Sequence, residues 1–426
     1  MTANPVPTAS VEPRQAVPAE PVVPGVPGRR GGGKVAAAQN AGASAGSLFH
    51  LIRTGQASSR AELARLSGVS ASTVAMRVEE LIAAGYLEET GKGESTGGRK
   101  PRSLSLKVGN QVVVGIDLGE HHASLGVMDR RARLIAQSLE TVSLIDGPEA
   151  VVRQLVERSR ALVAEAGEGL ELAGIAMGLP GPVDSRTGKL VAPSRMPGWN
   201  GVAVRELLES YSGLPARVDN DANIMALGEY VYRGQNIDNL VFVKAGTGIG
   251  CGVIASGALH RGFRGIAGDI SHVSLSDAEP IPCSCGRLGC LDVIASGSAI
   301  LDSLREEGVE VESMNELIAI ASDAHPLATR YLRDAGRRTG EVLATIVNFF
   351  NPEALVLGGK LSQSEAFVAG VRQAIYTQCL PMATDFLDVS VSEIGWTGGV
   401  QGIGWALLEE IVDPARIDAE LRTSGS

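Results

Sequence analysis

Apolar residues recur at helical spacing near the start of the chain. Between residues 47 and 82 they predict three short helices, and the second and third follow Ser59 and Ser70, which can cap a first turn. The second helix is expected to turn Leu63 and Leu66 inward. Two strand-like runs follow, so residues 46–107 are predicted to form a winged helix-turn-helix.

From residue 108 to residue 413, strand-like and helical patterns are mixed. A helical pattern covers about 148–166, and the glycine-rich turn 245–250 separates two strand-like runs. Two successive clusters of strands, each with a glycine turn, predict two α/β lobes around a cleft. The main apolar runs behind this prediction are 112–116, 125–129, 175–178, 240–244, 252–255 and 354–357.

The two ends of the chain lack this periodicity. Residues 1–45 are rich in Pro, Ala, Val and Gly and show neither a helical nor a strand period. Such a segment buries too little surface to offset its chain entropy, so we expect a disordered tail. Residues 414–426 are expected to form a second, shorter tail.

Charge and cysteine content narrow the function classes. The net charge is −10, yet residues 1–107 carry +5 and the remainder −15, which indicates nucleic-acid contact by the first part only. Five cysteines in a chain of 426 residues, three of them clustered, indicate a metal site in a reducing compartment and not a disulfide framework. We expect no membrane partner and a cytoplasmic location, because no signal peptide and no uncharged 18-residue apolar run is visible.

The predicted DNA-binding surface combines the third helix with a basic wing. One face of that helix lies away from its apolar stripe, as the face that enters a major groove does. The wing is more basic, and an arginine on a glycine-rich loop suits a narrow minor groove. The candidate DNA-binding residues are Ser72, Thr73, Met76, Arg77, Arg99, Lys100 and Arg102.

Three cysteines and a histidine lie within nineteen residues. Thiolates and imidazole nitrogen at this spacing suit tetrahedral zinc. Four protein ligands leave no open position for a catalytic water, so we predict a structural zinc site. Its ligands are His272, Cys283, Cys285 and Cys290.

Six short motifs, in order, resemble those of the ROK family of repressors and sugar kinases. They are 178–184 (GLPGPVD), 220–223 (NDAN), 246–250 (GTGIG), 265–272 (GIAGDISH), 283–292 (CSCGRLGCLD) and 357–359 (LGG), and the resemblance extends over about 47–410. It implies an α/β, two-lobed, actin-like fold, as in sugar kinases and Hsp70-type ATPases, with a sugar in the cleft. The winged helix resembles that of the family's regulators, since its stand-alone kinases lack one. The family also implies a homodimer or homotetramer.

The same resemblance assigns ligand-binding roles. Asp221 matches the carboxylate that accepts a proton from the phosphorylated hydroxyl in the kinases, and Asn220 matches a sugar-contacting residue. Asp269 and Asp292 match acids that bind sugar hydroxyls, although the family pattern has Glu at both positions. His272 would ligate zinc and also face the sugar.

The first phosphate loop departs from the kinase pattern. Kinases of the family have Gly and Thr where this chain has Glu120 and His121. Glycine lets the backbone approach a phosphate, whereas Glu120 adds bulk and a like charge. ATP binding and catalysis are therefore not expected. The kinases also carry a sugar-contacting Asn near Trp199, and here either Ser194 or Arg195 stands in its vicinity.

These features predict a transcriptional regulator, expected to be a repressor, that binds an operator and senses a sugar or sugar phosphate. Two alternatives remain open. The first is an ATP-dependent sugar kinase that also binds DNA, with Asp221 as its base. The second is a DNA-binding module whose sensor domain binds a protein.

Overall fold

The computed structural model describes residues 44–92, 102–276 and 279–424. The predicted tail at 1–45 lies outside these residues apart from its last two, which cap and begin the first helix. The N-terminal unit contains three helices and a two-stranded antiparallel sheet, as predicted for a winged helix-turn-helix. Its elements are α1 (Ala45–Arg53), α2 (Arg60–Ser67), α3 (Ala71–Ala83), β1 (Leu87–Lys92) and β2 (Arg102–Leu106).

Serines cap all three of these helices. The hydroxyl oxygens of Ser44, Ser59 and Ser70 accept hydrogen bonds from backbone N–H groups in the first turns, which satisfies donors that the helices cannot. Leu63 is buried as expected, but Leu66 is exposed. At 100° per residue, Leu66 lies about 60° around α2 from Leu63, at the edge of the face that reaches the core.

The first lobe is built on a five-stranded sheet with strand order β5-β4-β3-β6-β9. Strands β3 to β5 form an antiparallel meander, and β6 and β9 add parallel to β3. The lobe contains β3 (Gln111–Leu118), β4 (His122–Asp129), β5 (Leu134–Thr141), α4 (Pro148–Ala166), β6 (Glu171–Leu179), β7 (Val183–Asp184), β8 (Lys189–Leu190), α5 (Val204–Ser212) and β9 (Ala216–Asn220).

The second lobe repeats this arrangement with strand order β12-β11-β10-β13-β14. Again the first strands are antiparallel neighbours and the last two add in parallel. From residue 221 onward the chain contains α6 (Asp221–Tyr232), β10 (Leu240–Ala245), β11 (Ile249–Ala255), β12 (Ala258–Leu259), α7 (Leu291–Ala295), α8 (Gly297–Glu306), α9 (Met314–Ser322), α10 (Pro326–Phe350), β13 (Ala354–Gly358), α11 (Glu365–Gln378), α12 (Pro381–Thr384), β14 (Asp388–Val391), α13 (Gly398–Ile411) and α14 (Pro414–Ser424). Single 3₁₀ turns lie at Leu144–Asp146, Leu361–Gln363 and Gly395–Thr397.

Helices α6 and α13 lie between the two sheets. Ile224 of α6 and Ile403 of α13 share a buried cluster with the first sheet, and other residues of the same helices pack on the second. The two helices approach closely because Gly228 has no side chain, since a Cβ there would lie 2.0 Å from the carbonyl oxygen of Gly398. The predicted two-lobed α/β fold is confirmed.

The C-terminal segment differs from the expected tail. Residues 414–424 form the helix α14, whose Ile417 is fully buried in the core of the winged helix unit together with Val412. The backbone N–H of Gly46 donates to Asp418 Oδ1 at 2.8 Å. The segment is ordered because it buries apolar surface against α1, a partner more than 350 positions away. Within the described residues, no helix has the length and apolar character needed to cross a membrane.

Candidate functional site

A cavity of about 520 Å³ opens between the two lobes, which is within the range of small-ligand sites. All five residues that the resemblance assigned to ligand binding line it. They are Asn220, Asp221, Asp269, His272 and Asp292. Asp117, Glu120, Arg195 and Lys244 also line the cavity.

Asn220 and Asp221 stand where β9 ends and α6 begins. Asn220 caps the helix, because its Oδ1 accepts from the N–H groups of Ala222 at 2.9 Å and Asn223 at 3.3 Å. Its Nδ2 donates to the carbonyl oxygen of Gly181 at 3.1 Å, which leaves one N–H of the amide for a ligand. The cap fixes the direction in which Asp221 enters the cavity.

Asp221, the residue that matches the catalytic base of the kinases, forms an ion pair with Lys244. Lys244, at the end of β10, donates from Nζ to Asp221 Oδ2. Asp117 lies nearby at the end of β3, and loss of hydration raises its pKa to about 6 against the opposing charge of Lys244. The pKa of Lys244 is raised, because the charges of Asp221 and Asp117 outweigh its loss of hydration. This ion pair takes up one of the two carboxylate oxygens of Asp221.

A tight hairpin turn joins β3 to β4 at the edge of the cleft. The N–H of Gly119 donates to the carbonyl oxygen of His122 at 2.7 Å, so Glu120 and His121 form the tip of the β3–β4 hairpin. Burial, with smaller contributions from the charges of Lys244, His121 and Lys360, lowers the pKa of His122. The turn presents the side chains of Glu120 and His122 to the cavity.

The glycine turn at 246–250 is the tip of the β10–β11 hairpin, and three neighbours hold it. Asp292 Oδ1 accepts from the N–H of Ile249 at 3.2 Å. The N–H groups of Gly297 and Ser298, at the start of α8, donate to the turn's carbonyl oxygens at 2.9 and 3.1 Å.

Arg195 joins the two lobes across this turn. From the first lobe it donates from Nη2 to Asp292 Oδ2 at 2.9 Å and from Nη1 to Ser298 Oγ at 3.0 Å. Both partners belong to the second lobe, so the pair spans the cleft. Asp292 therefore accepts from a backbone amide and a guanidinium at the same time.

The four predicted metal ligands lie together beside the cavity. One ligand atom from each of His272, Cys283, Cys285 and Cys290 falls within 4.8 Å of the others. Cys285 Sγ and Cys290 Sγ are 3.6 Å apart, close to the ~3.8 Å expected for two sulfurs about 2.3 Å from a tetrahedral zinc ion. The donor set and its spacing could thus hold a metal ion.

Backbone geometry shapes the loop that carries these ligands. Gly286 and Gly289 have positive φ angles of 84° and 63°, which lets the chain turn back on itself. The loop ends at Cys290, directly before α7, and α7 carries Asp292. A metal held by this loop would therefore fix the start of the helix that carries a cavity residue.

The candidate DNA-binding face is only partly described. Ser72 and Met76 are exposed on α3, and Met76 exposes 51% of its surface. Thr73 Oγ1 lies 2.8 Å from the capping Ser70 Oγ, and Arg77 Nη1 donates to Glu80 Oε2 at 2.9 Å. Arg99, Lys100 and the side chain of Arg102 lie outside the described residues.

Residues 113–410 match the profile described as the ROK family. The chain belongs to the ROK family. Residues 48–88 match a winged helix-turn-helix DNA-binding profile, so both parts of the expected architecture are confirmed. The ROK match covers the two lobes, including every cavity residue discussed above.

Named relatives of this ROK protein include regulators and kinases. A putative xylose repressor of Caldicellulosiruptor sp. is 31% identical over 353 residues, which is 79% of this chain and 88% of the relative. A ROK family transcriptional regulator, described as a homologue of the E. coli MLC protein, shares the fold with a TM-score of 0.74, 24% identity and coverage of 91% of this chain and 99% of that one. The ROK hexokinase of Thermus thermophilus gives a TM-score of 0.59 at 29% identity, over 70% of this chain and 99% of the hexokinase.

The cations of the ROK cleft were not predicted from the sequence. Arg195 was considered only as one of two possible counterparts of a kinase Asn, and Lys244 was not considered. Lys244 gave one detectable signal, because it is the single charged residue of an otherwise apolar strand, 240–245. A charge that ends such a strand beside a glycine turn often faces a site and not the core.

Proposed function

We propose that this ROK protein is a sugar-responsive transcriptional regulator that acts as a repressor. One observation carries the proposal: one chain joins a winged helix unit to a two-lobed cleft lined by carboxylate and amide side chains, and the C-terminal helix of the chain is buried in the core of the winged helix unit. Relatives named xylose repressor and N-acetylglucosamine repressor cover 79–83% of this chain and support the same function. A ligand would act by binding two arrangements of the protein with different affinity.

The ligand site consists of Asn220, Asp221, Asp269, His272 and Asp292. Carboxylates and amides discriminate strongly for hydroxyls, because a missing hydroxyl leaves a buried polar group unpaired. The operator would be contacted by Ser72, Thr73, Met76 and Arg77 in the major groove and by Arg99, Lys100 and Arg102 from the wing. Operator DNA and a reducing environment for the cysteines are both found in the cytoplasm.

A direct experiment tests this function. DNA fragments from the region around the protein's own gene would be screened by gel shift, with and without D-xylose, D-glucose and N-acetylglucosamine and their phosphates. We expect specific binding that one carbohydrate weakens. Specific DNA binding that responds only to a protein partner would instead favour a sensor domain for proteins.

A sugar kinase that also binds DNA is the second candidate, supported by kinase relatives such as the glucokinase of Halalkalibacterium halodurans, which is 27% identical. Two features oppose catalysis. Lys244 binds the carboxylate that would act as the base, and Glu120 stands where a phosphate would approach. Phosphoryl transfer depends on placing charge and phosphates accurately. We expect no ADP release above background with ATP, Mg²⁺ and any of these sugars, and sugar-dependent ADP release would reverse this assignment.

The metal cluster would hold structural zinc. The cluster offers three sulfurs and one imidazole and leaves no ligand position to water, which is the pattern of a closed zinc site. Bound zinc would supply positive charge among the thiolates, and His272 would keep its other ring nitrogen for the ligand. One zinc per chain by elemental analysis is the expected result.

A homodimer or homotetramer would place two winged helices on a palindromic operator. Large apolar side chains at one corner of the second lobe support a contact with a second copy. Phe349, Met382 and Phe386 there are 91%, 86% and 94% exposed. Light scattering should give a mass of at least twice 44.2 kDa, and Met382→Glu should lower it.

A further inference from the structure

Two cations in the cleft are paired with carboxylates that the ROK resemblance assigns to sugar binding. We propose that Arg195 and Lys244 are ligand-binding residues, and that the pairs Arg195–Asp292 and Lys244–Asp221 bind hydroxyl groups of a neutral, unphosphorylated sugar. The inference rests on the proposed sugar-sensing function and specifies the charge of the ligand and two further residues that contact it.

Arg195 has hydrogen-bond donors left for a ligand. A guanidinium carries five N–H donors, and Asp292 and Ser298 take two of those of Arg195 in the described residues. Its side chain is 23% exposed and lines the cavity, so the remaining donors can reach a ligand. Space for it depends on Gly248, since a Cβ at Gly248 would lie 3.0 Å from Arg195 Nε.

Lys244 repeats this arrangement at the other carboxylate. Its side chain is 27% exposed, lines the cavity and donates to Asp221 Oδ2. An ammonium group has three donors, and the described residues take one of them. Asp221 Oδ1 accepts from the N–H of Ala222 at 2.8 Å and keeps lone pairs for a ligand.

A sugar hydroxyl both donates and accepts a hydrogen bond. A carboxylate can only accept the hydrogen bond that a hydroxyl donates. A carboxylate beside a cation can accept that hydrogen bond and also donate one to the hydroxyl oxygen, on one hydroxyl or on two neighbouring ones. The cation also holds the acid in a fixed orientation, and linked hydrogen bonds in such a network strengthen one another. Both pairs therefore match a polyhydroxyl ligand.

The charge balance of the cleft disfavours a phosphate. Five carboxylate side chains line the cavity against three Lys and Arg side chains: Asp117, Glu120, Asp221, Asp269 and Asp292, and Arg195, Lys244 and Lys360. Arg195 and Lys244 are bound to carboxylates. Lys360 is exposed, and its charge contributes to lowering the pKa of His122 at the β3–β4 turn. A sugar phosphate brings a further charge of about −1.5 to −2 into this surplus of acids.

Buried ion pairs can also be purely structural, and the chain offers a matched comparison. Arg233 is 22% exposed, donates to Glu229 Oε1 and Asp388 Oδ2 at 2.7 Å each, and does not line the cavity. Arg233→Met removes a guanidinium that is bound by two carboxylates and by Ser390 Oγ and lies away from the ligand. Arg195→Met and Lys244→Met remove the two proposed contacts.

Calorimetry on the full chain, with glucose, xylose and N-acetylglucosamine and the 6-phosphates of glucose and N-acetylglucosamine as probes, tests the inference. We expect wild-type protein to bind a neutral sugar at least about tenfold more tightly than its phosphate. Arg195→Met and Lys244→Met should each weaken neutral-sugar binding by about tenfold or more, and Arg233→Met should leave it unchanged. Operator affinity without sugar should stay the same in every variant.

Arg195→Lys serves as a second variant should Arg195→Met fail to fold, since it keeps the charge but loses the planar fork. Weaker sugar binding with unchanged operator affinity is again expected. Tighter binding of a phosphorylated probe, or wild-type sugar affinity in the Arg195 and Lys244 variants, overturns the inference and leaves the regulator function standing. If no carbohydrate or phosphate in the panel binds, the proposed sugar sensing fails and this inference fails with it.

Discussion

Asp117 and Lys244 occupy the same position in the two repeated lobes and meet in the cleft as opposite charges. Each is the next-to-last residue of the first strand of its sheet, β3 or β10, and a hairpin turn follows each. Loss of hydration raises the pKa of Asp117 to about 6, against the opposing charge of Lys244. The repeated architecture of the two lobes therefore brings an acidic residue of the first lobe and a basic residue of the second lobe together in the cleft.

Asp117 should make stability depend on pH. Its pKa rises from 3.8 to about 6 on folding, so the folded chain holds this proton more tightly than the unfolded chain does. The stability that this proton contributes is complete below about pH 4 and is lost as pH rises through about 6. Asp117→Asn cannot ionise, and we expect it to gain about 2 kcal/mol over wild type at pH 8, allowing for partial solvent contact, and almost nothing at pH 4. Urea unfolding at both pH values measures this difference.

Asp129→Asn is the control for that experiment. Asp129 is an acid of the first lobe that is more deeply buried than Asp117, and its carboxylate accepts from the N–H of Arg131 at 2.8 Å and from Arg133 Nε at 2.8 Å. Neutralising it should lower stability by about 1–3 kcal/mol at pH 8. A loss of stability at pH 8 in Asp117→Asn as well would contradict the proposed cost of burying its charge.

Loss of the proposed zinc should loosen the cleft without disturbing the winged helix unit. Cys283→Ser, or treatment with a strong chelator, is expected to lower the melting temperature and to weaken sugar binding, because the loop before Asp292 loses its anchor. Elemental analysis and thermal shift measure both effects. Cys379→Ser is the control, since Cys379 lies outside the cluster, packs against the apolar core of the second lobe and donates a hydrogen bond to the carbonyl oxygen of Ala344. Equal effects of the two substitutions would argue against a metal at the cluster.

Met76 provides a test of the face that α3 presents to DNA. Met76→Glu puts a negative charge on this exposed position, so repulsion by phosphates should weaken operator binding by about tenfold or more at moderate salt. The free energy of unfolding should change by less than about 0.5 kcal/mol, because the side chain is half in water. Met76→Leu is the matched control and should bind nearly as wild type. Wild-type operator affinity in Met76→Glu would show that another face contacts DNA.

Local sequence signals predicted much of this molecule. Helix spacing and capping serines predicted the winged helix unit, and apolar runs beside glycine turns predicted the two lobes. The cysteine and histidine spacing predicted the cluster, because its four ligands lie within nineteen residues. Each of these features depends on neighbours in the chain.

Features that depend on distant partners were missed. The place of Arg195 in the site depends on its hydrogen bond to Asp292, which is 97 positions away in the chain. That of Lys244 depends on Asp221, which belongs to another element. The prediction of a tail at 414–426 was wrong for the same reason. The few apolar residues of this segment form a buried face only when they pack against α1. The prediction that Leu66 faces inward was wrong for a different reason. A helix of eight residues has too few turns for the spacing of its apolar residues to identify the buried face.

Helix α14 connects the end of the ROK domain to the DNA-binding unit. Helix α13 runs from the cleft, where a Cβ on Gly399 would lie 2.3 Å from Asp117 Oδ2, and α14 follows it after two residues. Gly46 of α1 also needs its hydrogen side chain, because a Cβ there would lie 2.1 Å from the carbonyl oxygen of Pro414. Two consecutive helices thus link the cleft to α1, and we expect a change in the cleft to reach the winged helix unit through them.

Ile417→Ala tests whether this connection holds the DNA-binding unit in place. The side chain is fully buried between α14 and the winged helix core, so its loss should cost about 2–5 kcal/mol of unfolding free energy. Because the unit then moves more freely against the cleft, sugar should release operator DNA less completely, while sugar affinity itself stays near wild type. Gel shifts across a sugar titration measure the release, and calorimetry measures the affinity. Arg422→Ala, at an exposed position of the same helix, should change neither. Full release in Ile417→Ala would mean that the cleft signals to the winged helix by another route.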